Sequence, residues 1–367
     1  MKLLTTSKNP VDRLFLGLVL ILLAIGFFIF SSATLGLLAR GSSFGTILLK
    51  QSVMGLAGGV GAYILSRVHY RHLRKIAFFA FIGSAMLTAL ILIPGLGFEH
   101  GGATRWLLVG GYSFQPAEFL KLGTVLYLAA LFSSRYIKPS QFKQGLLPVI
   151  LILSLVSGLL VTQPDTGTIA VIGVTAFCMY IVAGGRWLHA GILAAIATIA
   201  IVILVLNKSY IEERLIAFWN LDCTVAGSSY QVCQAKLAIG SGEIFGRGFG
   251  QSIQKFNLLP EQIGDSIFAV AAEEWGFVGS VTIVVLFALF TLRGLYLASH
   301  APDTFARLLV VGIVILIASQ SFVNIAAMLS LVPITGVPLL FISQGGTALI
   351  GALLGVGIIL NISRYRT

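Results

Sequence analysis

Long apolar runs alternate along the chain with short polar breaks. Ten runs can be read, at about 14–33, 52–68, 76–94, 117–133, 146–162, 168–184, 190–206, 266–291, 308–328 and 345–363. Each approaches or falls within the roughly 17 to 25 residues that carry a helix through the hydrocarbon core of a bilayer. Lipid offers backbone groups no hydrogen-bond partners, so only helices or a closed barrel can cross it. The strands of a barrel would alternate with period two between aromatic girdles, and no such alternation is present. The pattern predicts an all-α, polytopic membrane protein with ten transmembrane helices, built as a single membrane domain over 1–367. The first run follows Lys2, Lys8 and Arg13 and is longer than the core of a cleaved signal peptide, so it reads as a retained helix.

One connection breaks the rhythm. Residues 207–265, between helices 7 and 8, form a loop far longer than the others, and long loops in compact domains are usually functional or disordered. This one contains Trp219, Tyr230, Phe245, Phe249 and Phe256, and "YQVCQAKLAIGSGEIFG" has the apolar spacing of a short helix ending at glycines. A folded cap is expected. Gly95 to Leu122 mixes glycines with Arg105 and Trp106 and reads as a hairpin or re-entrant turn feeding the fourth helix.

Composition agrees: 57% of residues are hydrophobic and 10% charged, too few polar groups to cover a soluble globule of 367 residues. The net charge of +11 is explained by topology. With both termini cytoplasmic, Arg67, Arg71, Arg74, Lys75, Arg135, Lys138, Lys143, Arg364 and Arg366 all fall inside, and of the thirteen acids only Asp12 and Asp303 do. A basic inner face beside anionic lipid needs no nucleic-acid partner. The loop 207–265 is then extracytoplasmic. It carries Cys223 and Cys233 in an oxidising compartment, where a disulfide and two free thiols are both open.

Ionisable groups in apolar spans are costly and are functional candidates by default. Pro116, Glu118 and Lys121 open the fourth span. Glu118 and Lys121 can neutralise one another at i, i+3, or the lysine can serve an anionic ligand. In "TQPDTGT", Asp165 can cap the next helix or line a polar site with Gln163. Gln320 and Asn324, within a turn of each other, suit interhelical hydrogen bonds. The densest group is "LLPEQIGDSIFAVAAEEWGFVG", with Glu261, Asp265, Glu273 and Glu274. Asp265 stands where a carboxylate can cap span eight, stay ionised and accept a proton from a hydroxyl. Glu273 and Glu274 lie about 12 to 14 Å deeper and need partners there. The glycines of "GRGFGQS" read as loop glycines able to approach a ligand closely.

These stretches together resemble the SEDS family, which contains the FtsW, RodA and SpoVE proteins. The likeness rests on Gly102–Trp106, Ser113–Lys121, "QPDTGT", "KLAIGSGEIFGRGFGQS", the acidic stretch around Asp265, and "ITGVPLLFISQGG", and it covers nearly the whole chain. It implies a glycosyltransferase of the bacterial cytoplasmic membrane that polymerises lipid II, the undecaprenyl-diphosphate-linked disaccharide-pentapeptide, outside the cell. Asp265 matches the family's essential aspartate. Arg105, Glu118, Lys121, Gln163, Asp165, Arg214, Glu273 and Glu274 match its outer-face motif residues.

The resemblance further implies a class B penicillin-binding protein as partner, alongside other division or elongation proteins. It allows Mg²⁺ or Mn²⁺ to assist the leaving diphosphate and implies no organic cofactor. The division member is favoured over the elongation member, and a lipid II flippase or a noncatalytic scaffold are the rival expectations. Ile263, Gly264, Ser266, Gln344 and Glu243 depart from the family pattern, which has His-Thr before the aspartate, Phe after it, Tyr at 344 and Gly at 243.

Overall fold

The structure, a computed structural model, describes residues 10–38, 43–100, 103–219, 223, 227–256 and 258–366. Lys2, Lys8, Arg40 and Gly102 lie outside the described residues, as do a few positions of the 207–265 loop.

Twelve α-helices are described. They are α1 (Arg13–Leu35), α2 (Phe44–Arg67), α3 (Tyr70–Ala89), α4 (Pro116–Phe132), α5 (Leu147–Val161), α6 (Thr166–Val182), α7 (Trp187–Asn207), α8 (Ser209–Trp219), α9 (Ser228–Ser241), α10 (Ile267–Ser299), α11 (Thr304–Met328) and α12 (Gly346–Ser363). Each of the ten apolar runs coincides with one of α1 to α7 or α10 to α12. Eight helical segments among the described residues are long and apolar enough to cross a membrane, whereas α4 and α6 have only 17 residues each. The other two, α8 and α9, belong to the long loop, which is therefore a folded, helical segment.

The chain is predominantly helical but not all-α. Between α3 and α4 stands a three-stranded antiparallel sheet, β1 (Gly97–His100), β2 (Ala103–Val109) and β3 (Tyr112–Phe114), in the order β1-β2-β3. Its β2–β3 turn uses Gly110 and Gly111, both at positive φ, the backbone a tight hairpin demands. The run of small and aromatic residues around Arg105 thus folds as strands because short hairpins can satisfy their backbone among themselves.

Burial sorts the helices. In α11 and α12 most of the apolar stretch is enclosed, and they form the centre. Helices α2 and α7 turn large apolar side chains such as Leu56 and Leu206 outward, as lipid-facing helices do. Glycines let α12 and α2 cross closely: a Cβ on Gly357 would stand 2.4 Å from the carbonyl oxygen of Ala62.

The two described ends share one face. Asp12 caps α1 through Phe15 N (2.8 Å) and holds Arg293 (2.6 Å) at the end of α10 and Arg366 (2.6 Å) after α12. Alongside, Tyr70 donates to Asp303 (2.8 Å) and Asn361 bonds Ser66 O (2.8 Å). Burial alone would raise the Asp12 carboxyl, but the two guanidiniums and the Phe15 amide outweigh it and hold it below the usual range. The loop containing α8 and α9 lies at the opposite end of these helices.

The run expected as one helix over 266–291 is broken. In α10, Gly276 adopts φ 65 and ψ −161, far from helical values. The segment after α9 fills the break: Phe277 N and Val278 N donate to Glu243 O (2.9 Å) and Ile244 O (3.1 Å), and Arg247 N and Gly248 N to Glu273 O (3.0 Å) and Glu274 O (2.9 Å). These four bonds satisfy backbone groups that the break takes out of the helix. A Cβ on Gly246 would come within 2.1 Å of Glu274 O. Of the "GRGFG" glycines, Gly246 thus packs against backbone, while Gly248 and Gly250 have only a side-chain atom at 3.8 Å.

Candidate active site

Asp265 sits at the end of the long loop, two residues before α10 begins. It does not cap the helix as expected; Ser266 occupies that position, and its side chain accepts no bond from the amides of the first turn. Instead the carboxylate faces sideways to α9, where Gln231 Nε2 donates to Asp265 Oδ1 (3.0 Å) and to Ser266 Oγ (2.9 Å). From α11, Asn324 Nδ2 donates to the backbone carbonyls of Asp265 and Val337 (2.8 Å each). Asp265 is only partly exposed. Burial, reinforced by the nearby Glu261 carboxylate, pushes its carboxyl up to about 7, against the pull of Gln231 and Arg214. The expected dipole-stabilised carboxylate is therefore replaced by one poised near neutrality.

Two guanidiniums stand nearby. Arg105, buried on β2, donates to the carbonyls of Gln163 (Nε, 3.0 Å) and Pro164. Arg214, on α8, donates to Thr335 O (3.3 Å). Both flank Gly336, whose Cβ would lie 3.7 Å from a guanidinium nitrogen of each. Burial and the repulsion of Arg105 lower the Arg214 pKa, while Asp265, Tyr210 and Asp165 raise it. Arg105, Arg214, Asp165 and Asp265 thus form one electrostatic neighbourhood.

Asp165 caps α6, accepting Thr168 N (3.2 Å) and Thr168 Oγ1 (2.9 Å), and also receives Gln115 Nε2 (3.3 Å). Gln163 donates to Thr88 O (2.9 Å). A space of about 210 Å³ opens beside Arg214 between α8, α9 and the irregular segment after α11, with Phe218, Val232 and Pro333 in its wall.

The remaining expected residues lie elsewhere. Glu118 and Lys121 form a buried pair at 2.8 Å, and Lys121 also donates to Gln320 Oε1. Lys121 is 2% exposed, and its ammonium is engaged inside the bundle. A space of about 290 Å³ adjoins the pair, walled mostly by apolar side chains such as Leu122, Ile313 and Leu340. Gln320 Nε2 reaches Pro338 O (3.1 Å). With Asn324, it satisfies carbonyls of the proline-rich segment between α11 and α12, which has no helical partners of its own.

Glu273 finds its partners in the loop 243–262, and Glu274 finds its partners there and on α1. Glu273 accepts Ser252 Oγ (2.5 Å) and Ile253 N (2.9 Å) and pairs with Arg247 (3.7 Å). Glu274 pairs with Lys255 (2.6 Å), and both meet Ser32 of α1 (2.6 and 2.9 Å). Cys223 and Cys233 are disulfide-bonded. Gln231 and Lys255 were not singled out in the sequence. Lys255 could have been found, since two buried acids require a base; nothing marks Gln231 among the other glutamines.

No three His, Cys, Asp or Glu side chains converge as a metal cage among the described residues.

A helical bundle with an apolar exterior, carrying a partly enclosed carboxylate and the Arg214 guanidinium at one end, defines a polytopic membrane protein. The family model described as cell cycle protein, FtsW, RodA and SpoVE, matches residues 12–367. The chain is 35% identical to stage V sporulation protein E of Bacillus subtilis over 99% of both chains. It is also 35% identical to a probable peptidoglycan glycosyltransferase FtsW of Trichlorobacter lovleyi, over 96% of this chain and 93% of that one. A solved structure described as "Structural coordination of polymerization and crosslinking by a peptidoglycan synthase complex" aligns with a TM-score of 0.79 at 29% identity, covering 97% of this chain and 98% of that one. The chain belongs to the FtsW/RodA/SpoVE family.

Proposed function

We propose that this protein is a peptidoglycan glycosyltransferase that polymerises lipid II on the outer face of the bacterial cytoplasmic membrane. Ten helices, α1 to α7 and α10 to α12, cross the bilayer. The face carrying Asp12, Arg71, Arg293 and Arg366 is cytoplasmic by its basic character, so Asp265, Arg105 and Arg214 face outward.

The observation that carries this reading is a carboxylate at the edge of the bundle, held by Gln231 with the Arg214 guanidinium in its field and pushed up to about 7 by burial. A base with that affinity is half ionised at neutral pH and still proton-avid, the compromise general-base catalysis favours. Asp265 takes the proton of the acceptor sugar's 4-hydroxyl as that oxygen attacks the donor's anomeric carbon. The bond to undecaprenyl diphosphate breaks, and Arg214 with Arg105 stabilises the charge gathering on the departing diphosphate. One displacement inverts the donor's α-link to a β-1,4 bond, so one base suffices and no covalent intermediate is required.

A class B penicillin-binding protein is the proposed partner, a reading supported by the likeness to a chain of a peptidoglycan synthase complex. A division role is favoured over elongation by the FtsW name of one relative; a tagged copy at midcell supports it, and one along the side wall contradicts it. For the activity, labelled lipid II is incubated with purified protein and its transpeptidase partner. Wild type yields glycan strands and Asp265→Ala does not; equal product from both overturns the reading.

A further inference from the structure

We propose that Gln231 is a positioning residue for the reacting carboxylate, and that the Cys223–Cys233 bond fastens the helical turn that carries it. This deepens the reading of Asp265 as general base and rests on it.

Gln231 Nε2 has two hydrogens, and the structure uses both, one on Asp265 Oδ1 (3.0 Å) and one on Ser266 Oγ (2.9 Å). The double bond fixes the amide plane and ties α9 to the residue that opens α10. With Oδ1 held, Oδ2 is left without a partner side chain among the described residues, so the fixed carboxylate presents one oxygen to a hydroxyl. On the backbone side, Asn324 grips the Asp265 carbonyl (2.8 Å), so the residue is held from two helices at once.

The turn that carries Gln231 is weakly started. Gly227, at φ 115, precedes α9 and offers no capping side chain. Cys233, two residues beyond Gln231 and 5% exposed, is bonded to Cys223 across a separation of ten residues. That bond anchors the first turn of α9 to the chain before it and limits how far Gln231 can leave Asp265. The charged groups that face Asp265 are Glu261 from its own loop, which opposes ionisation, and Arg214 from α8, which favours it. Gln231 adds a donor to the ionised form, so its loss makes Asp265 harder to ionise.

The test measures lipid II polymerisation by the full chain between pH 5.5 and 9, for wild type, Gln231→Met, Gln231→Leu and Asp265→Asn. Methionine keeps the length of the side chain and removes the donor. Its acid limb is expected to move up by about one pH unit, a change typical of one hydrogen bond to a charged group. The rate then falls about fivefold at pH 7 and recovers near pH 9, while the KM for lipid II changes less than twofold. Should Gln231→Met fail to fold, Gln231→Leu, which also lacks the donor and adds no charge, reports the same shift. An unmoved limb in the folded variant overturns the role of Gln231, and if Asp265→Asn is inactive in the same assay, the reading of Asp265 survives that result. Full activity in Asp265→Asn removes both.

For the fastening, a phosphine reductant opens the disulfide in wild type and in Gln231→Met. Wild type is expected to lose activity at pH 7 and regain it at pH 9, and Gln231→Met to change little. No effect on wild type, or an equal loss in both, overturns the link between the bond and Gln231.

Discussion

Replacing Lys255 by methionine isolates the contact that moors the loop leading to Asp265. Lys255 is fully buried, and Glu274, 2% exposed, lies 2.6 Å from its ammonium, with the Ser32 hydroxyl bonded to both. Lys255→Met keeps most of the volume but leaves the Glu274 carboxylate with Ser32 Oγ and a distant Ser252 amide (3.4 Å) as its donors. Breaking a buried pair from one side costs about 3 to 5 kcal/mol, because an uncompensated charge remains in a low-dielectric site. Removing both partners with apolar groups of similar size leaves no such charge and is often near neutral. Lys255→Met is therefore expected to lower stability by about 3 kcal/mol or more, and Lys255→Met with Glu274→Leu by markedly less. Thermal unfolding in detergent, followed by tryptophan fluorescence, reads both. Polymerisation should fall with Lys255→Met at temperatures where the protein is still folded, since residues 243–262 lead directly into the Asp265 segment. A single variant within about 1 kcal/mol of wild type, or a double variant worse than the single, refutes the reasoning.

Further outcomes follow from the backbone and from protonation. Glu243 stands at φ 47, in the left-handed region, where the family pattern has glycine; Glu243→Gly should stabilise by about 1 kcal/mol in the same unfolding assay. Gly246→Ala should destabilise strongly and cut activity, since its Cβ would press on Glu274 O at 2.1 Å and φ is 78. Asp265→Asn should raise thermal stability at pH 8 but not at pH 4. The folded carboxyl titrates near 7 and the unfolded one near 3.8, so the folded form holds a proton the unfolded form releases. Stability from this group is then greatest below the unfolded value and declines as pH rises towards 7. Asparagine, never ionised, escapes that decline; equal pH dependence in both proteins contradicts it.

The bundle was legible because bilayer crossing imposes a length on apolar runs that no other constraint mimics. The break at Gly276 was not, since it depends on residues 243–248 supplying hydrogen bonds from the preceding loop. The sheet around Arg105 was legible as a hairpin or re-entrant turn, and the hairpin is what forms, but its third strand was not foreseen. At the site, Asp265 and Arg214 were found by type and motif, but their environment was not. An aspartate just before a helix reads locally as a cap, and only the packing of α9 turns it towards Gln231. Lys121 shows the same limit from the other side: i, i+3 spacing to Glu118 left open whether its charge faced a ligand or its neighbour, and in the structure it meets its neighbour. Departures at Ile263 and Gln344 proved adjacent, Gln344 N donating to Ile263 O at 2.7 Å, so two changes scattered in sequence meet beside Asp265.

The central claim is that the side chain at 265 removes a proton during glycosyl transfer. Single-turnover polymerisation of labelled lipid II across pH, comparing wild type with Asp265→Asn, tests it most directly. The account predicts a wild-type rate that climbs through an acid limb near pH 7 and an asparagine variant without product at any pH. A variant that polymerises at the wild-type rate, or a wild-type rate flat from pH 5.5 to 8, would contradict it.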